Sequence, residues 1–77
     1  MSAVSQTKQH DFPPRIATAA RAGMVRALAG EHTTITDRLY AYEIQEAGRQ
    51  LASAEGLSDA VRITATADHV SFTPIRP

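Results

Sequence analysis

The chain contains no cysteine and no tryptophan. The first absence excludes disulfides and thiolate metal sites. Aromatic side chains are limited to two phenylalanines and two tyrosines, Phe12, Tyr40, Tyr42 and Phe72. Alanine must then supply much of the apolar surface, and a buried methyl removes little area from water. Seventy-seven residues make one domain. A chain this short buries a smaller share of its surface than a longer one, so thin stability is expected, and self-association is a common remedy.

Charge of one sign is also lacking. Eight basic and eight acidic residues give a formal net charge of zero with histidine neutral. No general attraction to nucleic acid or acidic membranes follows. No apolar run approaches the ~20 residues needed to span a bilayer. Residues 1–11 are polar and contain no apolar signal-peptide core. The expected location is therefore the cytoplasm, with no membrane contact. Arginine heavily outnumbers lysine and alanine is abundant. That usage points to a GC-rich bacterial or bacteriophage genome.

What is present centres on Thr34 to Gly56. Tyr40, Ile44, Ala47, Leu51 and Ala54 recur at helical spacing and form one seam of an amphipathic helix. Thr34 reads as its N-cap, Asp37 as a shortened capping box, and Gly56 as the left-handed residue that ends it. Leu57 is placed to close the hydrophobic contact that often follows. Ile35, Leu39 and Tyr42 lie roughly opposite the main seam, which predicts a sandwiched helix or an exposed interface.

An earlier helix is expected from about Pro14 to Ala29. Its apolar face is Ile16, Ala20, Gly23, Met24, Ala27 and Leu28, and Gly30 is placed to stop it. Asp11 is a candidate N-cap. Gly23 costs roughly 1 kcal/mol in mid-helix, which a close crossing of the second helix would offset. The short link Glu31 to Thr33 predicts that the two helices are antiparallel neighbours.

The period then changes from helical to two. Val61, Ile63, Ala65 and Ala67 alternate with polar residues, as do Val70, Phe72 and Pro74. A two-residue turn at Asp68-His69 would pair Ala67 with Val70, Ala65 with Phe72 and Ile63 with Pro74. Pro74 cannot donate to a ladder, so the last strand is expected at an open edge. The predicted fold is α+β: a flexible arm over residues 1–11, then one small domain, 12–77, of two antiparallel helices followed by a C-terminal hairpin. A second copy's hairpin could extend the sheet.

No motif carries a chemistry. His10, His32 and His69 lack ligand spacing. Glu43 and Glu46 share a helix face and read as solvated, with Arg49 in reach of Glu46. No catalytic set, cofactor or metal is expected. The leading reading is a small non-enzymatic regulatory protein that acts through a protein interface at Ile35, Leu39 and Tyr42, and that partners itself as a homodimer. The alternative is a small DNA-binding regulator using Arg15, Arg21 and Arg26 of the first helix. The second helix opposes that alternative, because its acids outnumber its bases and phosphate would repel them.

Overall fold

A computed structural model describes residues 12–75. The predicted arm and the Asp11 cap lie outside them. The element order is α1 (Pro14–Leu28), β1 (Thr33–Thr36), α2 (Ala41–Ala54), β2 (Val61–Ala65) and β3 (His69–Pro74). The three strands form one antiparallel sheet in the order β1-β3-β2. Both helices pack against it. The α+β class is as expected, but the layout differs from α-α-β-β in three respects.

First, the link between the helices is itself a strand. Thr33, Thr34, Ile35 and Thr36 form an unbroken β-branched run. Such side chains lose χ1 freedom in a helix and fit a pleated surface. Thr34 is therefore not a helix cap. The N-cap is Tyr40, with no side-chain cap bond, and Asp37 instead closes the turn before the helix: its Oδ1 accepts from the N–H groups of Leu39 (3.0 Å) and Tyr40 (2.9 Å). α2 begins only at Ala41.

Second, the two helices are not joined by a direct turn, because β1 lies between them. The Arg15 guanidinium lies over the Tyr40 ring, 5.1 Å from its centroid. That contact puts the first turn of α1 beside the entry to α2. Gly23 and Gly48 both face the Phe72 ring. The middles of the two helices thus meet over one ring. The expected short link assumed that the chain turns directly from one helix into the next.

Third, β3 is the central strand, not an edge. β1 pairs with it through Thr33↔Phe72 and Ile35↔Val70, and β2 through Val61↔Pro74, Ile63↔Phe72 and Ala65↔Val70. The hairpin register is thus displaced by two residues from the expected one. A two-residue slip leaves every side chain on its face, so alternation alone does not distinguish the two registers. The turn does. Thr66 N–H donates to the His69 carbonyl at 2.8 Å, so the two loop residues are Ala67 and Asp68. Pro74 is tolerated for a related reason. The Ile75 N–H bonds Ala60 O, so odd-numbered donors of β3 face β2 and the Pro74 nitrogen faces the other side. β1 starts at Thr33, opposite Phe72, and does not reach that far.

Helix ends follow the sequence closely. Gly30 and Gly56 have φ of 95° and 70°. At each, the next N–H reaches back into the helix, Glu31 to Arg26 O at 3.0 Å and Leu57 to Ala52 O at 2.7 Å. These bonds satisfy carbonyls the helix would leave open. The core joins Ile16, Ala20, Met24 and Ala27 of α1 to Ile44, Ala47 and Ala52 of α2 and to Val61, Ile63, Val70 and Phe72 of the sheet. Phe72 and Val70 are fully buried. The seam of α2 is rotated from the expected one. Ala41, Gly48 and Ala52 are buried, Tyr40 and Leu51 are half-buried, and Ala54 is exposed. Leu28 is exposed as well.

Candidate functional site

Leu39 and Tyr42 sit at the entry to α2, one in the preceding turn closed by Asp37 and one in the first helical turn. They are 76% and 58% exposed. The Asp37 carboxylate closes the turn before α2 and therefore fixes where Leu39 projects. Ile35 does not join them. It lies on β1, opposite the buried Val70, and packs half-buried against the core. The three residues expected to form one surface are thus a pair on the α2 entry and one strand residue beneath the helices.

The three arginines of α1 do not form one face either. Steps of six and five residues carry Arg21 about a third of a turn away from Arg15 and Arg26. Arg15 stacks on Tyr40. Arg21 borders a groove of about 550 Å³ between the helices, with Ala17, Ala20, Ala47, Leu51 and Phe12. Arg26 is exposed in the last turn.

The sheet face turned away from the helices is polar. His32 accepts or donates through both ring nitrogens, Nδ1 to Thr73 Oγ1 at 3.0 Å and Nε2 to Thr34 Oγ1 at 3.3 Å. Thr34 and Ser71 hydroxyls lie 3.4 Å apart across the β1–β3 pair. At the hairpin turn, Thr66 Oγ1 donates to Asp68 Oδ1 (3.2 Å) and lies 2.9 Å from His69 Nδ1, which is 3.0 Å from the same carboxylate. With the Thr66 proton committed to Asp68, His69 Nδ1 must be the donor in both of its contacts. The His69 and Thr66 hydrogen bonds hold the Asp68 carboxyl below its ordinary value of 3.8. These groups satisfy one another and act as turn and strand chemistry. Glu43 and Glu46 are exposed, and Glu46 accepts from Gln50 Nε2 at 3.3 Å, not from Arg49. Among the described residues, no three His, Cys, Asp or Glu side chains converge as metal ligands, and none of the polar or charged side chains is buried.

A second groove, about 420 Å³, was not anticipated. It runs beside β2 and is bordered by Arg49 and Ala52 of α2, Val61, Arg62 and Ile63 of β2, and Ile75. Nothing in the local sequence marks it. It exists because β3 takes the central place and leaves β2 at the sheet edge. No described helix is long and apolar enough to cross a membrane. Comparison with family models, curated proteins and solved structures finds no match.

Proposed function

We propose that this chain is a small non-enzymatic interaction or regulatory protein of bacterial or bacteriophage type, working in the cytoplasm as a homodimer. The observation that supports this reading is the Leu39–Tyr42 pair. Two large side chains stay largely exposed, Leu39 in a turn whose backbone is held by Asp37 and Tyr42 in the first turn of α2. A rigidly presented apolar pair loses little conformational freedom on docking, and a tyrosine tolerates a contact that is only partly dry. A two-fold dimer needs only one self-complementary patch, so this pair can meet its own copy.

Sedimentation equilibrium across a wide concentration range tests the proposal. A dimer mass is expected, reverting to monomer in a Leu39→Glu/Tyr42→Glu variant. A monomer at every concentration rejects the dimer. A dimer that survives both substitutions rejects this surface.

A further inference from the structure

We infer that the β2 edge and the groove beside it form a docking strand for an extended acidic peptide of another protein. This surface is distinct from the Leu39–Tyr42 pair and does not depend on it.

The phase of the β2–β3 ladder is fixed by its two ends. Ile75 N–H bonds Ala60 O at 2.9 Å, and Thr66 N–H bonds His69 O at 2.8 Å. Antiparallel ladders alternate, so the even-numbered residues of β2 bond to β3. The backbone N–H and C=O groups of Val61, Ile63 and Ala65 then point out of the sheet, where no other described strand lies. A row of outward donors and acceptors is a template for one more strand.

The side chains around that template define what fits it. A strand laid along β2 alternates its own side chains between two sides. On the helix side it meets Ala52, Val61 and Ile63, and Ser58 and Ile75 also border the groove. On the open side it passes Arg62 and Thr64, since Arg62 is paired with Thr73 on the polar face. Arg49 borders the groove from α2. No acidic side chain borders it, and the one ion pair among the described residues is His69–Asp68, at the far hairpin turn. Both guanidinium groups are therefore available to carboxylates, which they bind with two parallel donors.

The same charges discriminate between occupants. If a second copy paired its own β2 edge with this one, the seam would gather two more arginines and still no acid. An acidic segment with an apolar residue at alternate positions meets both requirements at once. Recognition by strand addition takes affinity from the main chain and selectivity from the alternating pockets.

The test uses the full chain, immobilised, against a displayed library of random octapeptides. Enriched sequences should be acidic with alternating apolar residues. The best enriched peptide, made with a fluorophore, should lose at least tenfold in affinity against an Arg49→Glu/Arg62→Glu variant. Both arginines are exposed, so that variant should keep its melting curve. Ala65→Pro deletes an outward donor without breaking the bond to β3, and should weaken the peptide while sparing the sheet. If that variant unfolds, amide shifts of Val61, Ile63 and Ala65 on peptide addition give the same information. No enrichment, enrichment of basic or uncharged peptides, or binding indifferent to the arginine variant overturns the inference. So does a dimer that dissociates with Ala65→Pro, since a second copy then fills the edge.

Discussion

Gly23 lies face-on to Phe72, with no room between them for a methyl group. A Cβ built there would stand 2.7 Å from the ring's Cγ, well inside contact distance. Gly48 approaches the same ring from α2, where a Cβ would meet Cε2 at 3.0 Å and Ile63 Cδ1 at 3.1 Å. One phenyl ring is thus seated between two glycines, one on each helix.

Gly23→Ala should therefore destabilise, although alanine is the better helix former by roughly 1 kcal/mol. Overpacking costs about 1–3 kcal/mol in a well-filled core, and the whole ring face is in the way. Gly48→Ala meets the ends of two side chains instead and should cost less. Thermal unfolding ranks them, since each kcal/mol moves the midpoint by about 4–8 °C in a domain of this size. Equal melting temperatures for Gly23→Ala and wild type would show that the ring can move aside. Phe72→Leu should recover part of the loss in the Gly23→Ala background.

Ile44→Ala and Leu51→Ala separate the observed seam of α2 from the one read by periodicity. Ile44 is 1% exposed and Leu51 only half-buried. The first change should cost about 2–5 kcal/mol and the second distinctly less. Urea unfolding at constant slope gives both values. A larger loss at Leu51 would return the seam to the face of Tyr40 and Ala54.

Asp37→Ala should cost about 0.5–2 kcal/mol, because the N–H groups of Leu39 and Tyr40 both lose their acceptor. Asp37→Asn keeps an acceptor oxygen and should cost less. Amide exchange at Leu39 and Tyr40 is the local readout. Unchanged protection in Asp37→Ala would mean that the turn holds without its carboxylate.

These residues also show how far the sequence could be read. The helix stops at Gly30 and Gly56 were legible because a left-handed position has one favoured occupant and a local hydrogen-bond pattern. Ile16, Ala20 and Ala27 were legible because a long helix repeats its period several times. Thr33 to Thr36 was not, since four β-branched residues are too short to display an alternation. The sheet order was not legible either. Pro74 suggested an edge, but its missing donor faces a place where β1 has not yet begun. Strand order depends on partners distant in sequence, and the β2 groove is a consequence of it. The entry pair Leu39 and Tyr42 is exposed, but Ile35 belongs to an element the periodic reading did not contain.

The hairpin turn should show a small acid dependence. The Asp68 carboxyl is held below 3.8, first by the hydrogen bond from His69 and then by that from Thr66. A carboxyl with a depressed folded-state value stabilises above its unfolded value and loses that contribution as pH falls through the folded one. The melting temperature of wild type should exceed that of Asp68→Asn at about pH 6, and the gap should close below about pH 3. Solvent screens this exposed group, so the gap is expected to be modest. A gap that widens in acid would contradict the assignment.

The central place of β3 also sets the order of events when the chain is made. β1 and β2 never touch, and each is held in the sheet only through β3. Until His69 to Pro74 has emerged from the ribosome, no strand has a neighbour, and the two helices have no ring to close on. Partial assembly from the N-terminal side therefore has little to stabilise it. The domain should form in one late, cooperative step, through contacts distant in sequence, which are the slow ones to find. A chain ending before Phe72 would present its apolar helix faces to chaperones and proteases, whereas one that includes all of β3 would not.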